Sequence, residues 1–179
     1  EGGRLEEVYD VDFRDIRGQL VLRRAAEVAV AGMHGLFMNG SAGTGKTMVA
    51  KRLPTIMPSL TREEDIEISK IYSICGLLPP DRPLLSRRPF RSPHHTITPL
   101  ALTGGGAQAR PGELSLASGG ILFLDELPHF SRGAVDILRQ PLEEHKVTVT
   151  RVHGSYEFPA DFMLVAAANP CPCGFYPDR

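Results

Sequence analysis

The sequence has few of the features that mark disulfide-rich, membrane-spanning or broadly nucleic-acid-binding proteins. It holds only three cysteines, too few to suggest a disulfide framework. It contains no run of the roughly 18 apolar residues that a transmembrane helix needs, so we expect no membrane partner. Its formal net charge of -1 gives no overall attraction to nucleic acid. What remains is an ordinary globular composition, and 179 residues are enough for one domain with its own core.

Both ends of the sequence also lack the usual signals. The chain opens on Glu1-Gly2-Gly3-Arg4, without an initiator methionine or an apolar leader, and it stops at Arg179. We therefore expect a fragment of a longer, cytoplasmic protein. Within it, 1–18 are expected to form an N-terminal extension and 19–179 a single globular core.

One segment carries a phosphate-binding pattern. Gly40-Ser41-Ala42-Gly43-Thr44-Gly45-Lys46-Thr47 fits G-x-x-x-x-G-K-[ST], the P-loop, between a short apolar run and a predicted helix. Glycines let backbone N–H groups approach phosphate oxygens, and the helix points its positive end at them. Lys46 is expected to reach the β- and γ-phosphates of ATP, and the Thr47 hydroxyl to hold Mg²⁺. Met48 completes this predicted nucleotide-binding set. A chance glycine-rich turn is the alternative, which the strand–loop–helix context disfavours.

The chain alternates predicted helices and strands. Helices are predicted at 19–31, from the P-loop to Pro54, from a capping box at Thr61 to Gly76, and from Ser131 to about 144. Strands are predicted at 35–39, 121–124 and 162–168, with a hairpin formed by 146–152 and 156–158. Prolines and glycines at 77–120 predict loops and short hairpins, a length that is usually functional. This alternation predicts an α/β fold with a mostly parallel sheet.

Polar residues follow the predicted strands where ligands bind. In parallel α/β sheets, ligands lie beyond the carboxyl ends of the strands. Asp125 is expected to hold Mg²⁺ through its water shell, and Glu126 to orient and deprotonate the attacking water. Asn169 is expected to hydrogen-bond the γ-phosphate or that water. Two acids that merely begin a loop, and an Asn-Pro turn, are the alternatives. With Lys46, Glu126 and Asn169 as catalytic residues, the chemistry is Mg²⁺-assisted ATP hydrolysis.

Several longer motifs follow one another along the chain. In order they are Asp12-Phe13-x-Asp15-Ile16-x-Gly18-Gln19, the P-loop, Phe90-Arg91-Ser92-Pro93-His94-His95, Pro111-Gly112-Glu113-Leu114-Ser115-Leu116-Ala117, Leu122-Phe123-Leu124-Asp125-Glu126-Leu127-Pro128, Arg139-Gln140-Pro141-Leu142-Glu143 and Ala168-Asn169-Pro170-Cys171-Pro172-Cys173-Gly174. Together they resemble the AAA+ ATPases of the magnesium chelatase group, and most of all its magnesium chelatase-like, or ComM, branch of bacterial DNA-processing ATPases. The resemblance covers nearly the whole chain.

The resemblance implies a P-loop NTPase of AAA+ type, a three-layer sandwich with a hairpin-rich insert at 77–120 and no lid domain in this chain. It implies ATP and Mg²⁺ as cofactors, Asn169 as sensor 1, and Ile16 among the nucleotide-binding residues. It also implies self-association into a ring, with a hexamer as the expected form, and DNA as a partner of the full-length protein. Position 129 holds an acid more often in this group than the histidine found here, which suggests surface drift.

Other residues leave their interpretation open. Arg87, Arg88 and Arg91 could contact DNA phosphates in a ring pore or could simply be solvated. Cys171 and Cys173 form half of a four-ligand zinc pattern, and two ligands cannot close a tetrahedral site. His94 and His95, if adjacent on a strand, would point to opposite faces and form no metal pair.

The leading functional hypothesis is an ATP-driven motor core that remodels DNA, as a helicase or translocase. The alternatives are the ATPase subunit that drives magnesium insertion into a porphyrin, and a nucleotide-dependent switch or scaffold with little turnover.

Overall fold

A computed structural model describes residues 35–39, 45–82 and 84–168. Several sequence predictions fall outside these residues: the extension at 1–18 with Ile16, the helix at 19–31, Gly40 to Thr44, Asn169, Cys171 and Cys173. Among the helices that the structure describes, none combines the length and the apolar character needed to cross a bilayer.

The described chain alternates short strands and helices. Its strands are β1 (Leu36–Asn39), β2 (Phe90–Arg91), β3 (Gly104–Gly105), β4 (Arg110–Pro111), β5 (Ile121–Leu124), β6 (Lys146–Arg151), β7 (Gly154–Pro159) and β8 (Met163–Ala168). Its helices are α1 (Lys46–Ile56), α2 (Arg62–Ile74), α3 (Pro99–Thr103), α4 (Glu113–Leu116), a 3-10 turn (Leu127–His129), α5 (Arg132–Ile137) and α6 (Arg139–Glu144).

The central sheet confirms the predicted α/β fold. Its described strands lie in the order β1–β8–β5–β2, and every neighbouring pair is parallel. Two small antiparallel hairpins, β3–β4 and β6–β7, lie outside this sheet. The β6–β7 hairpin is the one predicted from alternating residues, and its register runs from Lys146 opposite Pro159 to Arg151 opposite Gly154.

The buried strand β5 shows why its sequence is continuously apolar. All four of its side chains are buried. Ile121 and Phe123 pack with Leu53 and other α1 residues on one face of the sheet. Leu122 and Leu124 pack on the other face, against residues that include Leu102, Leu114 and Ala134 of α3, α4 and α5. Because helices cover both faces, every position of the strand must be apolar.

Local signals predicted some helix boundaries correctly. The capping box of α2 is confirmed, since the Glu64 N–H donates to Thr61 Oγ1 at 3.2 Å and the Thr61 N–H donates to Glu64 Oε1 at 3.1 Å. Helix α1 continues past the predicted end at Pro54 as far as Ile56. A proline in the last turn removes only one hydrogen bond, so the helix ends slightly later than predicted.

The helix predicted from Ser131 to about 144 is confirmed in its extent, but it is divided into two shorter helices. The Ser131 cap is present, because its Oγ accepts from the Ala134 N–H at 3.1 Å. The segment then divides at Leu138 into α5 and α6. Pro141 has no N–H to donate to the carbonyl four residues earlier, which explains the division. Helical spacing would place Val135, Leu138 and Leu142 on one inward face, but only Leu138 of the three is buried, and Val135 and Leu142 are each 40% exposed.

The segment 77–120 contributes to the sheet as well as to loops. Strands β3 and β4 form a short hairpin of the predicted kind. Strand β2, however, pairs in parallel with β5, where Phe90 lies opposite Ile121. This strand is only two residues long and directly follows Pro89. A run that short carries no periodic signal, so the sequence did not predict it.

Gly120 makes the contact between β2 and β5 possible. A Cβ atom at this position would collide with the Pro89 backbone, whose carbonyl oxygen accepts a hydrogen bond from the Ile121 N–H at 2.9 Å. We expect Gly120→Ala to lower the free energy of unfolding by about 3 kcal/mol, because neither backbone can move away without breaking the strand pair. Urea denaturation measures this change.

The matched control is Gly133→Ala. Gly133 lies in α5, and a Cβ there would meet only Ser131 Oγ at 4.0 Å. Alanine is favoured over glycine inside a helix by up to about 1 kcal/mol, so this variant should be neutral or slightly more stable. Equal stabilities for the two variants would contradict the proposed role of Gly120.

Candidate functional site

The carboxyl ends of the parallel strands lie along one edge of the sheet. Asn39, the last residue of β1, pairs with Ala168, the last residue of β8, and Leu124 at the end of β5 pairs with Ala166. The chain therefore leaves β1, β5 and β8 on the same side. The segments that follow are those that carry the P-loop, the Asp125-Glu126 pair and Asn169.

Lys46 lies at this edge as the first residue of α1. Its side chain is 8% exposed, and its Nζ donates a hydrogen bond to the Ala168 carbonyl at 2.8 Å. A buried ammonium needs such partners, because desolvation without them is costly. The residue before it, Gly45, has φ of 84°, a left-handed conformation that glycine adopts without strain. The ammonium group is thus positioned at the end of β8.

A cleft of about 290 Å³ brings the other predicted residues together. Thr47 on the first turn of α1, Asp125 and Glu126 beyond β5, and His94 and His95 beyond β2 all line it. The Thr47 hydroxyl and the Asp125 carboxylate in this cleft are hard oxygen donors, the kind of ligand that Mg²⁺ prefers. The donors present therefore fit a magnesium ion. Met48, also predicted to contact nucleotide, is exposed on the same turn of α1.

Glu126 has an unusual backbone conformation. Its φ and ψ are 54° and 49°, in the left-handed region. For a residue with a Cβ atom this costs about 1–2 kcal/mol. The Glu126 N–H donates to Asp125 Oδ1 at 2.9 Å, and its Oε2 lies 3.2 Å from His129 Nδ1. Backbone strain of this kind concentrates at functional sites, and here it falls on the residue predicted to activate water.

Two of the three arginines predicted as candidate DNA contacts are bonded within the chain. Arg91 donates two hydrogen bonds to the Glu113 carboxylate, each 2.7 Å long, and this bonding raises the pKa of its guanidinium. Arg88 donates to the Pro58 carbonyl at 2.6 Å and to the Gly119 carbonyl at 2.7 Å. Arg87 is exposed.

A contact of DNA with either bonded arginine would have to compete with these hydrogen bonds. Binding to nucleic acid stays a prediction for all three residues, and Arg87 is the one whose side chain is exposed.

The histidines in the cleft are arranged differently from the expectation based on their sequence positions. His94 and His95 lie beyond the end of β2 and not on a strand. Their rings do not point to opposite faces but pack together, with centroids 4.1 Å apart and a tilt of 34°. The His95 ring also lies 5.4 Å from that of His129. The unusual histidine at position 129 was the available signal, but its contact with His95 depends on the pairing of β2 with β5.

Comparisons with known proteins find similarity over nearly the whole chain. The family model described as "Magnesium chelatase, subunit ChlI" matches residues 12–179. The competence protein ComM of Haemophilus influenzae is 46% identical over 168 residues, which cover 93% of this chain and 32% of ComM. This chain spans about a third of the length of the curated relatives that it matches first.

Solved structures share the fold. A chain from the complex between subunits BchI and BchD of magnesium chelatase superposes with a TM-score of 0.61 at 24% identity, covering 89% of this chain and 53% of that one. NtrX from Brucella abortus in complex with ATP superposes with a TM-score of 0.55 at 22% identity, covering 86% of this chain and 30% of NtrX. These likenesses show the fold, a central parallel sheet of AAA+ type.

Proposed function

Since the chain belongs to the magnesium chelatase subunit ChlI family and has the AAA+ P-loop fold, we propose that it binds ATP with Mg²⁺ and hydrolyses it. The observation that carries this proposal is the placement of the buried Lys46 ammonium at the end of β8, beside a cleft lined by Thr47, Asp125 and Glu126. The bound ATP in the NtrX structure supports a nucleotide as the ligand of this fold.

Each polar group has a distinct role in the proposed reaction. Lys46 exchanges the neutral Ala168 carbonyl for phosphate oxygens, a change that strengthens its hydrogen bonds because the new acceptors are charged. Thr47 and Asp125 would hold Mg²⁺, which neutralises charge on the phosphate oxygens when bound. The backbone N–H groups of the P-loop, between Gly40 and Gly45, cradle the phosphates. Ile16 and Met48 are proposed to contact the rest of the nucleotide.

Glu126 accepts a proton from the attacking water while the water oxygen forms a bond to the γ-phosphorus. The bond from that phosphorus to the β–γ bridging oxygen breaks, which releases ADP and inorganic phosphate. Asn169 hydrogen-bonds the γ-phosphate or the water and so fixes the line of attack. The protein forms no covalent bond with the substrate, and the catalysis depends on positioning and charge.

We further propose that hydrolysis drives a DNA helicase or translocase built as a ring of subunits, with a hexamer the expected form. The motif series resembles the ComM branch, and the 46% identity to a ComM protein supports that branch. The second candidate is an ATPase subunit for magnesium insertion into a porphyrin. The family description and the BchI–BchD complex favour this alternative.

One experiment separates the two candidates. The protein at its full encoded length is assayed for ATPase turnover with and without single-stranded DNA, beside a porphyrin–magnesium insertion assay. A DNA motor should show several-fold faster turnover with DNA and no insertion. DNA-independent turnover together with insertion would contradict the motor proposal and favour the chelatase.

Arg87→Gln should reduce the salt slope of DNA binding by about one unit if Arg87 contacts a phosphate.

A further inference from the structure

Three metal-ligating side chains converge at the cleft. Ligand atoms of His95, Glu126 and His129 all lie within 4.8 Å of one another. Within the cluster, His129 Nδ1 and Glu126 Oε2 are 3.2 Å apart. His95 is partly buried, and the other two side chains are exposed. The set therefore combines two imidazoles and one carboxylate on a surface that solvent reaches.

The fold explains why these residues meet. The 3-10 turn begins just after Glu126, and the His129 N–H donates to the Glu126 carbonyl at 2.8 Å. In a 3-10 turn, side chains three residues apart lie on the same side. His95 approaches from the segment after β2, which is next to β5 in the sheet. Both the tight turn and the strand pairing are needed to form the cluster.

We propose that His95, Glu126 and His129 bind a zinc-class divalent transition-metal ion, with a fourth position left open to water. Ligand atoms at about 2.0–2.1 Å from a tetrahedral zinc lie about 3.3 Å from one another. The His129–Glu126 separation of 3.2 Å already matches this value. The His95 ligand nitrogen lies at most 4.8 Å from the other two ligand atoms. It therefore needs to move at most about 1.5 Å towards them to reach the zinc-bound spacing, which a rotation of the side chain achieves.

The ligand types select the metal. Imidazole nitrogen favours zinc, copper and nickel, whereas Mg²⁺ prefers carboxylate, carbonyl and water oxygens. With two imidazoles, the cluster binds a zinc-class ion in preference to magnesium. It is also distinct from the oxygen donors of Thr47 and Asp125, proposed above for magnesium.

Neighbouring rings contact His95 and so restrict the range over which its side chain rotates. Its ring packs against that of His94 at a tilt of 34°, and it forms a T-shaped contact with the buried Phe130 ring at a centroid distance of 6.4 Å. His94 is itself fixed, since its Nδ1 lies 2.8 Å from Thr96 Oγ1. Rings restrained in this way lose less freedom when they bind a ligand, which favours affinity.

The metal site has a regulatory consequence that rests on the proposed function. A carboxylate bound to zinc no longer accepts the proton of the attacking water. Binding at this site therefore stops hydrolysis through Glu126, while Lys46 and the P-loop remain available to ATP. The site acts as a zinc-dependent brake on the ATPase.

Direct binding tests the site without reference to activity. Zn²⁺ alone is titrated by calorimetry into nucleotide-free protein at its full encoded length, with Cys171→Ser and Cys173→Ser so that thiolates do not compete. Co²⁺ is titrated in parallel, because its visible absorption reports tetrahedral coordination. We expect one ion for each chain, and His129→Ala or His95→Ala should weaken the binding about tenfold or more.

The control variant is His153→Ala. His153 is an exposed histidine between β6 and β7, away from the cluster, and its loss should leave the affinity unchanged. Absence of metal binding, or equal affinities for His129→Ala and the parent, would overturn the site.

The same proteins then test regulation, with each rate expressed relative to that variant's rate in Mg²⁺ alone. Zinc should inhibit the parent and His153→Ala proteins, and at least about tenfold more zinc should be needed to inhibit His129→Ala. Zinc binding without inhibition would overturn the brake. Absence of ATPase activity in the parent would instead contradict the proposed function, while the calorimetry still decides the metal site.

Discussion

Glu126→Gln should leave ATP affinity nearly unchanged and lower the ATPase turnover number by at least about a hundredfold, the range expected for loss of a positioned general base. Glutamine has almost the same shape as glutamate and still orients a water by hydrogen bonding, but its amide does not accept the proton. The measurements are the turnover number and the ATP dissociation constant of the protein at its full encoded length.

The control for this prediction is Glu67→Gln, which makes the same chemical change on an exposed position of α2. It should match the parent in both affinity and turnover. If Glu126→Gln retains normal turnover, Glu126 has no part in the mechanism. The variant also loses one of the three proposed zinc ligands, so its zinc affinity should fall together with its turnover.

Features that depend on local sequence could be predicted. The four apolar residues of β5 indicated a strand covered on both faces, and the two acids after it were therefore assigned to a strand end. The capping box at Thr61 requires only residues three positions apart, so the start of α2 followed directly. The shared edge for Lys46, Asp125 and Glu126 came from the rule for parallel sheets, and the strand order agrees with it.

Features that depend on distant contacts could not be predicted. Arg91 and its partner Glu113 are 22 residues apart, and no pattern in the sequence indicates that they form an ion pair. The two-residue strand β2 is defined by its pairing with β5 and not by its own composition. The cluster of His95 with Glu126 and His129 also depends on the pairing of β2 with β5, because β2 brings His95 to the cleft.

Lys46→Met should weaken ATP binding about a hundredfold, since truncating one partner of a desolvated, charged contact costs about 2–5 kcal/mol. Methionine keeps the apolar stem that occupies the buried position and removes only the ammonium that now bonds to Ala168. Calorimetry with ATP and Mg²⁺ gives the affinity, and Lys70→Met, on an exposed position of α2, is the control.

Loss of the Lys46 ammonium also leaves the Ala168 carbonyl without that hydrogen bond, so the folded state must be checked separately. We expect the free energy of unfolding to fall by about 1–3 kcal/mol, the cost of one lost partner of a buried polar group. Because such a loss leaves the protein folded at typical stabilities, a weaker affinity can be assigned to the missing charge. An unchanged ATP affinity in the folded variant would refute the P-loop assignment, because the lysine of a P-loop contacts the phosphates directly.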